Sequence, residues 1–216
     1  MNATEKKPLN IEDVAAAIGV PKKEVEMMGR KMNMTQWSPE FLVPMLDYIR
    51  PIAAKGDPVS LGGPGDHWVL AGAGVALGDT FAEYVAGNGT MEMIDLPMGE
   101  ENPEGGVHFL TYEDGDKLYI AFDPDDHTKP MTAGPHNYDV SKLPHVVVPP
   151  CRPDQDVFIT GGGGYGILLT ILKPYFGDKC RSLSVSPGHG NDSGYICVKA
   201  GGSLKAGDIS PFHHFE

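Results

Sequence analysis

Two short runs in this chain join glycine to the start of an apolar helix, an arrangement that lets a backbone hold an anion. The first is Gly62-Gly63-Pro64-Gly65-Asp66 and the second is Gly161-Gly162-Gly163-Gly164-Tyr165. Glycine permits positive φ and lets a ligand come close to the main chain. A helix start presents N–H groups that have no intrahelical acceptor, together with the positive end of the helix dipole. These features bind phosphate or carboxylate without a charged side chain. The candidate ligand-binding residues are therefore Gly62, Gly63, Gly65 and Asp66 in one run and Gly162, Gly163, Gly164 and Tyr165 in the other. No Gly-Lys-Ser/Thr follows either run, so neither is a Walker loop, and the later glycine and acidic residue of a dinucleotide fingerprint are misplaced. Close packing of a helix on a sheet also demands glycine at such turns, and the residues alone leave both readings open.

Other side chains could add chemistry. Asp66-His67-Trp68 sets an acid, an imidazole and an aromatic ring beside the first turn, a combination suited to a nucleotide or sugar phosphate. The alternative is that Asp66 caps the helix and Trp68 belongs to the core. His189 and Asp192 share a glycine-rich loop and suit a divalent metal such as Mn²⁺ or Mg²⁺. His127, His136 and His145 lie in a long loop, and His213, His214 and Glu216 end the sequence; surface histidines account for them equally well. Asp123, Asp125 and Asp126 form an acidic run that reads as a solvated turn or a Ca²⁺ or Mg²⁺ site. There is no Gly-x-Ser-x-Gly. Cys151, Cys180 and Cys197 are odd in number, widely spaced and without a CxxC pair, which argues against a disulfide framework and a cysteine-only metal site.

The elements that must position these groups divide the 216 residues into three parts. Residues 1–56 read as an N-terminal helical segment. After a loose tail over 1–9, Asn10 caps a helix with Ile11, Val14, Ala15 and Ile18 on one face, closed by Gly19. Pro21 opens a second helix with Val25, Met28 and Met32 on one face. Ser38-Pro39 starts a third, with Leu42, Met45, Leu46 and Ile49 as its stripe and Pro44 as a possible kink. The first two resemble a helix-turn-helix, although a docking arm for a protein partner fits them better, because residues 57–216 hold nine Lys/Arg against twenty-two Asp/Glu. The net charge of −12 repels a nucleic-acid backbone, so duplex DNA is not the expected partner. With no apolar run long enough for a membrane span and no signal-peptide core over residues 1–8, a cytoplasmic, membrane-free protein is expected.

From residue 57 the sequence repeats itself. The first copy, in 57–122, runs from a strand into the first glycine turn, a helix over 68–85, a strand over 91–94, Pro97-Met98-Gly99, a strand over 106–112 and Gly115-Asp116. The second, in 123–216, runs from a strand into the second glycine turn, a helix over 165–176, a strand over 182–185, Pro187-Gly188-His189, a strand over 194–199 and Gly207-Asp208. A strand over 117–122 should pair with 108–112 as a hairpin, 146–148 should form a short strand, and 123–144 should be a long loop. The expected fold class is α/β, with α+β as the variant: two related units forming a pseudo-twofold body, plus the N-terminal helices.

Across roughly 107–210 this order, with Val157-Phe158-Ile159-Thr160-Gly161-Gly162, Leu183-Ser184-Val185-Ser186-Pro187, Tyr195-Ile196-Cys197-Val198 and Ala206-Gly207-Asp208-Ile209, resembles the small manganese-dependent ring nucleases associated with CRISPR systems. That resemblance implies a phosphodiesterase-like protein taking cyclic oligoadenylate between two such units, here within one chain. The family's histidine after the glycine turn is replaced in the second copy by Ile167, Leu168 and Leu169, and its Asp-Pro-Arg by Ser186-Pro187-Gly188. In the first copy His67 lies near the histidine position and Asp95 at the aspartate position, which makes these two the candidate catalytic residues. Three functional readings follow: a protein that binds, or binds and cleaves, a phosphate-bearing nucleotide-type ligand between the turns; a non-catalytic subunit docking through its N-terminal helices; and a metal-dependent small-molecule enzyme using His189 and Asp192.

Overall fold

The chain enters a sheet where its sequence suggests a loose tail. Lys7–Asn10 is a strand (β1), paired in parallel with Val59–Gly62 (β4), and Leu9 is buried opposite Leu61. This is a computed structural model, and it describes residues 7–27, 29–86, 89–100, 106–123, 138–187 and 194–214. Asn10 then caps Ile11–Ala17 (α1), its Oδ1 accepting from the Glu12 amide at 2.8 Å, while Ile11, Val14 and Ala15 are buried. Gly19, at φ 79°, ends the turn.

The expected second helix is a β-hairpin. Lys22–Met27 (β2) pairs antiparallel with Arg30–Thr35 (β3), from Lys22↔Thr35 to Met27↔Arg30, with Gly29 at φ 70° in the turn. Met32 and Met34 lie two apart on β3, the period of a pleat, with Val25 opposite Met32, and a glycine in the left-handed region closes such a turn cheaply. Met28 lies outside the described residues. The helix-turn-helix reading is therefore wrong. The third helix forms as expected: after a 3₁₀ turn at Pro39–Phe41, Leu42–Ala53 (α2) buries Leu42, Met45, Leu46 and Ile49. Pro44 falls in its first turn, where a missing N–H costs little.

The first sheet has the order β1-β4-β5-β6. His67–Leu77 (α3) follows β4 and stops well short of residue 85, because Gly78 at φ 53° breaks it and Phe81–Ala86 extends as β5. Gly89–Glu92 (β6) runs antiparallel to β5, close to the strand expected over 91–94. The second sheet holds His108–Asp114 (β7), Lys117–Asp123 (β8), Asp156–Gly161 (β9), Ser182–Val185 (β10), Tyr195–Lys199 (β11) and Ile209–Ser210 (β12), in the order β12-β11-β10-β9-β8-β7. The hairpin β7–β8 forms as expected, whereas 146–148 contributes only a bridge between Met98 and Val148. Tyr165–Leu172 (α4) joins β9 to β10, ending where a 3₁₀ turn begins over Lys173–Tyr175.

The protein is thus mixed α/β, and its two sheets share a strand order. β1, β4 and β5 are mutually parallel with β6 antiparallel; β8, β9 and β10 are mutually parallel with β11 antiparallel. The correspondence differs from the one expected: Phe81–Ala86, not 91–94, answers to Ser182–Val185, and residues 108–114 belong to the second sheet.

α3 and α4 are apolar all round, and such helices belong in a core. α3 packs against α4, α2, β10 and β11, while α4 packs against β5, so each crossover helix touches the other unit's sheet. One hydrophobic cluster runs through both sheets and all four helices. The other face of the second sheet carries Tyr119, Phe158 and Tyr195; Phe212 stacks on Tyr195 at 5.2 Å, and His213 stacks on Tyr112 and Tyr119, each at 4.5 Å. No helix among the described residues is long and apolar enough to cross a membrane.

Candidate functional site

Both glycine turns leave the carboxyl ends of parallel strands, the edge where open α/β sheets bind ligands. Packing of the crossover helices then brings the two turns together. Tyr165, first residue of α4, meets His67, first residue of α3, edge to face at 6.0 Å between ring centres. Tyr165 also contacts Tyr84 of β5 at 6.1 Å. The Tyr84 hydroxyl donates to the Gly63 carbonyl at 2.9 Å, linking helix α4, strand β5 and the first turn. Burial, with Tyr165 beside it, pushes the Tyr84 phenol up to about 12, so it stays a neutral donor.

The glycines serve different local needs. Gly63 has φ 93°, and a Cβ there would lie 2.6 Å from Asn10 Oδ1, the cap of α1. Gly62 lies close to its neighbour strand, where a Cβ would stand 3.2 Å from the Val85 carbonyl oxygen. Gly65 is in ordinary contact with Val69 and Leu70. In the second turn Gly163 has φ 114°, whereas Gly162 and Gly164 face open space and lie outside the left-handed region. The Gly162 amide donates to the Phe122 carbonyl at 3.3 Å, which leaves Gly163, Gly164 and Tyr165 as the second turn's donors. In the first turn Pro64 has no N–H to offer.

Asp66 stands at the N-cap of α3, exposed, without a side-chain capping bond; its carbonyl accepts from the Leu70 amide at 3.1 Å. His67 is only 6% exposed. Asp95 is not brought to this junction. Its side chain is 85% exposed and pairs at 3.1 Å with Lys173, which follows the last residue of α4. Tyr165 opens that same helix, so the acid pairs with a residue eight positions farther on, whose backbone lies about 12 Å along the axis from Tyr165. His189 and Asp192 lie outside the described residues, as do His127, His136, Asp125, Asp126 and Glu216. Among the described residues no group of three or more His, Cys, Asp or Glu is placed to hold a metal ion. His213 is engaged in the aromatic stack.

Sequence reasoning missed Tyr84 and Asn10, which complete the junction. Tyr84 fell within a stretch read as helix, so its pairing with Gly63 had no signal. A cavity of about 440 Å³, lined by residues that include Gly99, His108, Thr111, Glu113 and Val147 and by none of the glycines of the two turns, opens beside β7. No family model, curated protein or solved structure matches this chain.

Proposed function

We propose that the protein binds a phosphate-bearing, nucleotide-type ligand across the two glycine turns. The observation that supports this most is the contact of His67 with Tyr165, which joins the two helix starts at 6.0 Å. Helix N-termini that meet in this way add their dipoles at a shared anion, and the open space beside Gly162 and Gly164 leaves room for an anion to reach the amides of the second turn. Tyr165 and Tyr84 supply aromatic surface for a base, and His67 is the group that could carry positive charge. On this reading the two units are related by an approximate twofold, as the shared strand order suggests, and a cyclic oligoadenylate is the ligand that the ring-nuclease resemblance implies. A cytoplasmic location belongs to the same proposal. Cleavage would rest on His67 rather than Asp95, which is engaged elsewhere.

Gly162→Val is the discriminating variant, because a Cβ at that position meets nothing in the fold. It should melt like wild type and lose at least tenfold in affinity for the tightest ligand of a panel of linear and cyclic nucleotides, measured by calorimetry. Unchanged affinity, or a wild type that binds no member of the panel, removes the proposal. One observation favours the subunit reading instead: Met32 and Met34 on the β2–β3 hairpin are 52% and 41% exposed, an apolar ribbon suited to a protein partner.

A further inference from the structure

The fold pairs two cysteines whose sequence positions give no hint of it. Cys151 precedes β9, in the segment that follows Pro149-Pro150, and Cys180 lies in the connection from α4 to β10. The Cys151 thiol donates to the Lys179 carbonyl at 3.1 Å and is a hydrogen-bond neighbour of the Cys180 sulfur. Tyr175 donates its hydroxyl to the Pro149 carbonyl at 2.6 Å, pinning one segment to the other. Lys199, reaching from β11, puts its ammonium 3.8 Å from Cys180 Sγ and donates to the carbonyls of Cys180, at 2.7 Å, and Gly177. Cys180 is 3% exposed, whereas Cys151 is half-buried.

These contacts sort the protons. With both thiols protonated, Cys151 donates to the Lys179 carbonyl and Cys180 to the Tyr175 carbonyl, the latter at 3.5 Å. The neighbouring sulfur and burial push the Cys151 thiol up. Once Cys180 ionises the Cys151 S–H can turn to it, so that this hydrogen bond and the Lys199 ammonium pull Cys180 down against its burial. The thiolate of the pair therefore forms on Cys180, with Cys151 as its proton-bearing neighbour. Cys197 is the contrast within the molecule: it is buried in β11, donates to the Lys199 carbonyl at 3.3 Å, and is pushed up to about 11 by burial.

We infer that Cys151 and Cys180 are a dithiol that hydroperoxides oxidise to an intramolecular disulfide, a modification site independent of the glycine turns. The Cys180 thiolate attacks one oxygen of the peroxide; the O–O bond breaks, Cys180 becomes a sulfenic acid, and hydroxide leaves and takes a proton to become water. Cys151 sulfur then bonds to Cys180 sulfur, breaking the S–O bond, and the hydroxide displaced from the sulfenic acid takes the Cys151 proton as a second water. The two thiols give up two electrons and the peroxide accepts them.

The test treats the intact protein with hydrogen peroxide, removes the excess and alkylates in denaturant. Oxidised wild type should take one alkyl group, on Cys197, lose two hydrogens in mass, and yield a non-reduced digest fragment linking Cys151 to Cys180. Cys151→Ser and Cys180→Ser should each yield no such fragment. Lys199→Gln should slow formation of the link roughly tenfold at neutral pH, the loss expected when the thiolate's pKa rises by one unit. Three alkylated cysteines after oxidation, a link involving Cys197, or oxygen added to Cys151 without a link would each overturn the pairing. An unchanged rate in Lys199→Gln would overturn the placing of the thiolate on Cys180.

Discussion

Gly63 and Gly162 lie in the two turns, yet they lack side chains for different reasons. At Gly63 the backbone is left-handed and Asn10 Oδ1 occupies the space a Cβ would take. Gly63→Ala should therefore cost roughly 1–2 kcal/mol for the conformation alone, and more if the cap of α1 is displaced. Its melting temperature should fall with or without ligand, whereas Gly162→Val should leave the melting of the ligand-free protein unchanged. A second residue-scale prediction concerns Arg181, whose Nε and Nη2 grip both oxygens of buried Asp156, at 2.9 and 2.6 Å, while Ser182 donates to the same carboxylate at 2.6 Å. Arg181 Nη2 also bonds Asp116 in the β7–β8 turn. Arg181 and Ser182 hold the Asp156 carboxyl below its usual range despite burial. A folded pKa below the unfolded one gives stability that is present above the unfolded value, about 3.9, and lost as pH falls through the folded value. Asp156→Asn should be less stable by about 2 kcal/mol in urea at pH 7, and the gap should narrow below about pH 4. A gap that widens in acid would contradict this sign.

At the scale of elements, α3 shows how close packing overrides helix propensity. A Cβ at Gly74 would lie 2.5 Å from the Phe176 ring, and one at Gly72 would lie 2.8 Å from Leu42 Cδ1. Alanine improves an exposed helix by about 1 kcal/mol over glycine, but overpacking a core costs roughly 1–3 kcal/mol. Gly74→Ala should therefore destabilise in chemical denaturation, and adding Phe176→Leu should recover part of the loss; a more stable Gly74→Ala would show that the ring yields freely. The hairpin β2–β3 is the opposite case. It is anchored to α1 through Glu12, which pairs with Lys22 at 3.1 Å and accepts from Thr35 at 2.8 Å, while Met32 and Met34 stay exposed. Helix stripes were legible where the period was clear, as in α2. Lengths were not: α3 reads as continuous to residue 85 because Phe81, Tyr84 and Val85 keep it apolar, and only the conformation of Gly78 divides helix from strand.

For the whole molecule, the core runs unbroken from α1 and α2 through α3 and α4 into both sheets. Urea unfolding should therefore be one transition, with far-ultraviolet signal and the near-ultraviolet signal of the Trp37–Trp68 pair, 6.4 Å apart, changing together. Two separated transitions would mean that the two units fold independently. The α/β class, the repeated strand–glycine–helix unit, the cap at Asn10 and the stripe of α2 were written in the sequence, because local periods, turn residues and glycine runs act over a few neighbours. Three features were not: the hairpin at residues 22–35, the pairing of Cys151 with Cys180, and the meeting of His67 with Tyr165. Each joins segments whose separation carries no periodic signal, or, in the hairpin, depends on which of two local periods finds a packing partner. Only the way α3 and α4 cross between the sheets decided that the two glycine turns share one place while Asp95 lies at the far end of α4.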